Sequence, residues 1–333
     1  MEYANFQNFA KNELLQKQYS FGEVGTGINK IQCPKSIVID EEMSHIYLTE
    51  GMIAPRILVF TFTGYLITSF KHKKMRYPWG IAKNKDNIYV TDTHADAVFL
   101  FKQDERMCKV MKIGKNYGSG INQFSYPKSI AVCKKGDVYI ADEYNHRIQV
   151  IDCNLNYIRT ISDPVDKLYR PIELKLTSDK VYVLCRLDRF KLHVFSHTGE
   201  RLPCRGIEDT RNGVRRCGFF CLDRSNNVII SDKESINIYN TTGEGRHLQL
   251  PSIKGEQVKK PKEEEQKKYG DPTPIPVPSF RSDGLKTLLK QLEKLSYPLD
   301  IALAGEKIYI ADTDNCRIQI FSTEGFSYIS FKE

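Results

Sequence analysis

The sequence predicts an all-β fold, a six-bladed β-propeller of four-stranded antiparallel blades. Two observations predict it. Short β-branched and aromatic runs, bounded by turn residues, are typical of strands. These runs recur six times, at intervals of roughly 40 to 50 residues. One such sheet buries too little apolar surface alone, so the six units are expected to pack in a ring.

Three landmarks define each unit. In five of the six the first strand begins at a proline that follows an aromatic or similar residue, and unit 5 lacks this proline. In all six the second and third strands are apolar runs. A weaker fourth run closes each unit, as in residues 64–70 and their near copy 325–331. The first strands begin at Pro34, Pro78, Pro127, Pro171 and Pro298. The second begin at Ile46, Ile88, Val138, Val181, Val228 and Ile308, and the third at Ile57, Val98, Ile148, Leu192, Ile236 and Ile318.

The landmarks divide the chain into four parts: an N-terminal segment (1–22), blades 1 to 5 (23–250), an insertion (251–296) and blade 6 (297–333). Both ends of the chain offer a closing strand for the last blade. We favour the C-terminal strand in that position, with the N-terminal segment outside it or as a fifth strand.

The insertion is charged and proline-rich, and then carries leucines at helical spacing after Ser282 or Asp283, either of which would cap a helix. We interpret it as a disordered loop followed by a short amphipathic helix. The apolar stripe either packs on the rim of the propeller or docks a protein partner. Its residues are Leu285, Leu288, Leu289, Leu292 and Leu295.

The composition excludes several classes of protein. Hydrophobic residues make up 41% of the 333 residues and charged residues 27%, as in soluble globular proteins. No run approaches the ~18 apolar residues of a membrane helix, and the N-terminus lacks the apolar region of a signal peptide. Nine scattered cysteines fit free thiols in a reducing compartment. We expect a cytoplasmic protein with no membrane partner.

Residues 141–150 (ADEYNHRIQV) and 311–320 (ADTDNCRIQI) resemble the core of the NHL repeat, as do the glycine-containing linkers 21–27 and 114–120. The chain resembles the NHL propeller of tripartite-motif and related ubiquitin-ligase proteins, without their RING, B-box or coiled coil. The resemblance implies a propeller that selects RNA or protein targets, with any ligase role indirect. It also implies structural roles for Arg147 and Arg317 between blades.

In this fold the loops that join successive blades share one face, the top, with the loops between second and third strands. Those inter-blade loops are net basic, and Trp79 and several tyrosines accompany them. Cations that meet phosphates and rings that stack bases suit single-stranded RNA. Alternatively, the tyrosines at 77, 126 and 169 pack within the repeat. The RNA or partner-binding candidates are Lys35, Lys71, Lys73, Lys74, Arg76, Trp79, Lys128, Tyr144, Arg170, Arg189, Arg215 and Arg216.

We therefore expect a non-catalytic platform that binds single-stranded or structured RNA, with no cofactor and no metal. A protein-interaction scaffold or substrate adaptor in a ubiquitin-ligase pathway is the alternative. A metal-dependent lyase or hydrolase is a minor one, because some six-bladed relatives are enzymes. His193 and His197 lie on a strand and its turn, where an i, i+4 spacing does not close a metal site.

Overall fold

A computed structural model describes most of the chain. The described residues are 17–24, 30–51, 53–85, 87–103, 108–114, 117–163, 168–186, 190–203, 220–222, 228–231, 235–239, 245–249, 298–305 and 307–322.

The described residues form 25 strands and a single 3-10 turn at Glu143–Asn145. In chain order the strands are β1 (Lys17–Phe21), β2 (Glu23–Val24), β3 (Lys30–Ile31), β4 (Pro34–Asp40), β5 (His45–Glu50), β6 (Arg56–Thr61), β7 (Leu66–Phe70), β8 (Pro78–Asn84), β9 (Asn87–Asp92), β10 (Ala97–Gln103), β11 (Cys108–Ile113), β12 (Pro127–Val132), β13 (Val138–Asp142), β14 (Arg147–Ile151), β15 (Tyr157–Ile161), β16 (Pro171–Leu176), β17 (Lys180–Arg186), β18 (Phe190–Ser196), β19 (Phe220–Leu222), β20 (Val228–Ser231), β21 (Ser235–Tyr239), β22 (Gly245–Gln249), β23 (Pro298–Ala304), β24 (Lys307–Asp312) and β25 (Arg317–Ser322).

These strands build six antiparallel sheets in a ring, so the predicted all-β propeller is confirmed. Blades 1, 2, 3 and 5 have four strands each, β4–β7, β8–β11, β12–β15 and β19–β22. The described part of blade 4 has three, β16–β18. The first strand of each blade contacts the first strand of the next, and β23 contacts β4, which closes the ring. A short parallel pair, β2–β3, precedes blade 1.

Blade 6 is completed by the N-terminal strand. Strand β1 pairs antiparallel with β25, giving the strand order β1-β25-β24-β23. The expectation that the C-terminal run takes this position is wrong, because β1 occupies the free edge of β25. The first and last parts of the described chain are thereby joined in one sheet, a contact that helps to hold the ring closed.

The core lies between neighbouring blades rather than within one. The second strands are buried almost throughout, and a tyrosine at the same repeat position is fully buried in three blades, as Tyr89, Tyr139 and Tyr309. Each apolar cluster combines side chains of two adjacent blades, for example Leu48 of blade 1 with Ile318 of blade 6. Burial of this apolar surface between blades stabilises the ring as a unit.

In blades 2 and 3 the repeated aspartate joins the blade to the preceding loop. Asp142 accepts a hydrogen bond from the Ser125 backbone N–H at 2.7 Å and forms an ion pair with Arg147 at 2.9 Å. Asp312 and Arg317 form the same ion pair at 2.7 Å. Both aspartates are fully buried, so the structural roles expected for Arg147 and Arg317 agree with these contacts.

The insertion 251–296, with its predicted loop, helix and leucine stripe, lies outside the described residues, as does the C-terminal run 325–331. Within the described part of the chain, no helix is long and apolar enough to cross a membrane.

Candidate functional site: the top of the channel

The first strands of neighbouring blades contact one another around the ring, and the residue after their starting proline lies at the end next to the inter-blade loop. We call this end of the ring of first strands the channel mouth. In blades 1, 2 and 3 these residues are Lys35, Trp79 and Lys128. The Nζ atoms of the two lysines lie over the same indole ring, 5.4 and 4.5 Å from its centroid. Both lysines are more than nine-tenths buried. Three successive blades therefore bring two ammonium groups to one indole ring.

Threonines of the second strands fix the backbone at this level. Thr49 Oγ1 donates to the Trp79 carbonyl at 2.5 Å, and Thr91 Oγ1 donates to the Lys128 carbonyl. A Cβ on Gly80 would lie 2.5 Å from that same Lys128 carbonyl oxygen. Glycine at this position thus permits the close approach of β8 and β12 that sets the spacing of the site.

A row of aromatic rings extends outward from Trp79 along the top face. The centroid distances are 5.9 Å from Trp79 to Tyr77, 4.6 Å from Tyr77 to His94, 5.9 Å from His94 to Tyr126 and 5.0 Å from Tyr126 to Tyr144. The second and last of these pairs are stacked. Tyr144, at the outer end, is 47% exposed, so the row runs from the channel mouth to solvent.

Three cations converge on Glu143, which directly follows the repeated Asp142. Its Oε1 accepts from Arg170 Nη2 at 2.5 Å and from Arg186 Nη2 at 3.2 Å, and its Oε2 lies 3.3 Å from Lys128 Nζ. Glu143 is fully buried. The Arg170 guanidinium also lies over the Tyr144 ring, 5.0 Å from its centroid. We call these four charged residues the Glu143 cluster.

Two further contacts hold Arg170 in place. Its backbone N–H donates to His146 Nδ1 at 3.0 Å, which places the proton of the neutral imidazole on Nε2. The imidazole stacks on Tyr169 at 4.6 Å. Arg170 adopts a left-handed φ of 52°, a conformation unusual for a non-glycine residue. The contact with His146 helps to fix this turn.

Burial lowers the pKa of Lys128, and the neighbouring Glu143 opposes that effect. Burial also lowers the pKa of Lys35. Within the described residues Lys35 forms no hydrogen bond or ion pair, and its ammonium contacts the faces of Trp79 and Tyr77. Among the described residues Lys35 forms no ion pair with a carboxylate, although Asp314 favours its charged form from a distance. A buried ammonium held in this way is costly, so Lys35 is suited to receive an anionic group from outside the chain.

Below the mouth, a second charged group spans the channel from blade 4 to blade 6. Lys175 Nζ lies 3.1 Å from Glu173 Oε1 and 3.2 Å from Asp300 Oδ1. Asp300 also accepts a hydrogen bond from Ser36 Oγ at 2.6 Å. Burial raises the pKa of Glu173 to about 7 although Lys175 lies beside it. Two carboxylates share one lysine here, whereas in the Glu143 cluster three cations share one carboxylate.

The structure brings together five of the predicted site residues, from blades 1 to 4. These are Lys35, Trp79, Lys128, Tyr144 and Arg170. The loop before Tyr77 carries four more with exposed side chains, Lys71, Lys73, Lys74 and Arg76. The remaining candidates, Arg189, Arg215, Arg216, Leu285, Leu288, Leu289 and Leu292, lie outside the described residues.

Sequence reasoning missed Glu143 and Arg186, and interpreted Tyr77 and Tyr126 as packing residues. A signal for the first two was present. Glu143 and Arg186 occupy the same repeat position in successive blades, where Glu143 directly follows β13 and Arg186 is the last residue of β17. Residues at one repeat position in adjacent blades are neighbours around the ring, so an acid followed by a base predicts an ion pair between blades.

No group of three or more His, Cys, Asp and Glu side chains in the described ranges is arranged to hold a metal ion. The groups that the described residues bring to the channel mouth are cations and flat rings.

Comparisons with known proteins agree with the repeat pattern. Residues 124–151 and 295–321 match the NHL repeat. The two matched segments belong to blade 3 and blade 6 of the propeller. Peptidyl-alpha-hydroxyglycine alpha-amidating lyase 2 of Drosophila melanogaster is 30% identical over 134 residues, which cover 37% of this chain and 33% of the lyase. The matched segment thus spans about a third of that enzyme.

Solved structures show the same fold at low identity. An inactivated virginiamycin B lyase from Staphylococcus aureus with quinupristin has a TM-score of 0.63 at 15% identity, over 91% of this propeller and 99% of the lyase. A gluconolactonase from Xanthomonas campestris has a TM-score of 0.55 at 9% identity, over 94% and 98% of the two chains. At such identities the likeness establishes the architecture alone.

Proposed function

We propose that this propeller is a non-catalytic platform whose top face binds single-stranded or structured RNA. The observation that carries the proposal is the channel mouth, where Lys35 and Lys128 share the indole of Trp79 and Lys35 forms no ion pair with a carboxylate in the described chain. RNA supplies both groups that this surface lacks, a phosphate for the ammonium and a base for the exposed rings.

The row of rings that ends at Tyr144 supports the same proposal. Base stacking on aromatic side chains contributes about 1–3 kcal/mol per base and tolerates any sequence. The exposed lysines at 73 and 74 precede the row along the chain and would add sequence-independent attraction to the phosphate backbone. By its resemblance to tripartite-motif propellers, the platform would select targets for a partner ligase, with no ligase activity of its own.

Filter binding of a random single-stranded RNA pool at 50 and 200 mM salt tests the proposal. With about four phosphate contacts, the affinity should fall about 50-fold between these concentrations. Trp79→Ala should weaken binding about tenfold or more, because it removes one stacking surface. The double change Lys73→Glu and Lys74→Glu should also weaken binding.

Matched controls lie at the opposite end of the blades. Lys134 and Lys135 are exposed in the turn between β12 and β13, and Tyr65 is 69% exposed before β7. Reversal of both lysine charges, or Tyr65→Ala, should leave RNA affinity close to that of the unchanged protein. Absence of salt-sensitive binding, or equal losses at the two ends, would count against the proposal.

Similarity to the Drosophila amidating lyase favours a second candidate, a metal-dependent lyase or hydrolase. Metal analysis of the purified chain separates the two. A stoichiometric metal whose removal lowers the unfolding temperature would favour the enzyme. A metal-free preparation whose stability does not respond to added divalent cations would favour the binding platform.

A further inference from the structure

The Glu143 cluster holds a surplus of positive charge at one point. Lys128, Arg170 and Arg186 bring three positive charges to a single carboxylate, which leaves two uncompensated. Glu143 is fully buried and does not itself face a ligand. The side chains of Arg170 and Arg186 remain 30% and 41% exposed, so these two guanidiniums present the surplus to solvent.

The donors of these arginines are only partly used. Arg186 donates Nη2 to Glu143 at 3.2 Å, and Arg170 donates Nε and Nη2 to the same oxygen. A guanidinium has five N–H donors in a planar fork that fits phosphate oxygens. The carboxylate therefore orients the two guanidiniums while leaving further donors for an anion.

Convergence on one point distinguishes two kinds of phosphate. A phosphodiester within an RNA strand carries one negative charge, and successive phosphates need cations spread along a groove. A terminal phosphate monoester carries about −1.5 to −2 at pH 7 and has three strong acceptor oxygens. The two positive charges that Glu143 leaves uncompensated match the negative charge of the monoester.

The neighbouring groups fit the nucleotide that follows such a phosphate. Tyr126 and Trp79 lie beside Lys128, with its Nζ 5.6 and 4.5 Å from their ring centroids. A terminal base would stack on these rings. Lys35 lies on the other side of the site, over the same indole, where it can meet the next phosphodiester.

We propose that the Glu143 cluster binds the terminal phosphate monoester of an RNA strand, so that the channel mouth recognises a phosphorylated RNA end. This inference rests on the proposed RNA-binding function. It adds a preference among RNA molecules of identical sequence, which general attraction to the phosphate backbone does not produce.

Three forms of one ten-nucleotide RNA test it: one with a 5′-phosphate, one with a 3′-phosphate and one with hydroxyls at both ends. Affinities are measured by fluorescence anisotropy with an internal label at pH 8. One phosphorylated form should bind about tenfold more tightly than the hydroxyl form, which is 1.4 kcal/mol. Which form it is identifies the end that is recognised.

The preference should shrink at pH 5, because the second pKa of a phosphate monoester is about 6 and its charge falls towards −1 below that pH. Arg186→Gln should abolish the preference. Lys73→Gln, in an exposed loop outside the cluster, is the matched control and should lower the affinities for all three RNAs by one common factor.

The outcomes separate the two proposals. Equal affinities for all three RNAs at pH 8 would overturn the end recognition and leave RNA binding intact. A preference that Arg186→Gln does not change would also overturn the assignment to this cluster. No binding of any of the three RNAs would overturn both proposals.

Discussion

Asp142 and Glu143 are adjacent, fully buried carboxylates with opposite surroundings. Asp142 faces Arg147, which also donates to the carbonyls of three loop residues and so has no role left for a ligand. Glu143 faces three cations, and one of them, Arg186, makes a single hydrogen bond to it. An arginine that can bind a ligand therefore differs from a structural arginine in its unused N–H donors and not in its charge.

The largest expected effect is on the structural side of this comparison. Arg147→Met should destabilise the propeller by about 3–5 kcal/mol, because it leaves Asp142 buried without its counter-ion. Burial already raises the pKa of Asp142. Equilibrium unfolding in urea measures the loss.

A second variant keeps this prediction testable if the single change prevents folding. Asp142→Asn combined with Arg147→Met removes the buried charge together with its partner and should recover part of the lost stability. A loss below about 1 kcal/mol for Arg147→Met alone would show that the ion pair is not what holds this loop.

The charged group below the channel mouth has the opposite imbalance, because it contains more carboxylates than cations. Glu173 shares Lys175 with Asp300, and its pKa of about 7 lies above the reference value of 4.5. The folded protein therefore binds a proton more tightly than the unfolded chain. The tighter binding of this proton stabilises the folded state. That stabilisation is fully present below pH 4.5 and is lost as the pH rises through 7.

Glu173→Gln should remove that dependence. We expect the variant to gain stability over the unchanged protein as the pH rises from 5 to 8, by on the order of 2 kcal/mol. Urea unfolding at both pH values measures the difference. Glu200→Gln, in an exposed turn, is the control and should show no such pH-dependent gain. A constant difference between Glu173→Gln and the unchanged protein would contradict the assignment.

The fold could be predicted from the sequence because the same pattern of strands and turns recurs from blade to blade. The landmark aspartate and arginine at 142 and 147 recur at 312 and 317, and each aspartate forms an ion pair with its arginine. Closure of the last blade was mispredicted for a physical reason. Both ends of the sequence carry an apolar run suited to this position. The pattern of residues alone does not show which of the two runs pairs with β25.

The site was predicted in part. Lys35, Trp79 and Lys128 follow the repeated proline, so their convergence on the channel mouth was accessible from the repeat. Charge counting instead emphasised the exposed loop 71–77, where cations have no fixed partners. Glu143 was overlooked because its importance depends on Arg170 and Arg186, which reach it from the side of blade 4. The pattern of a single repeat does not show which cations of the next blade contact it.

The smallest expected effect sharpens the opening comparison most directly. Arg186→Gln should cost less than about 1 kcal/mol in urea unfolding, because its side chain is 41% exposed and Glu143 keeps Arg170 and Lys128 as partners. Arg147→Met is the matching change for Asp142, the carboxylate next to Glu143 in the chain. If Arg186→Gln destabilised the fold as strongly as Arg147→Met, the Glu143 cluster would be another structural joint between blades, and its surplus charge would already be committed to the fold.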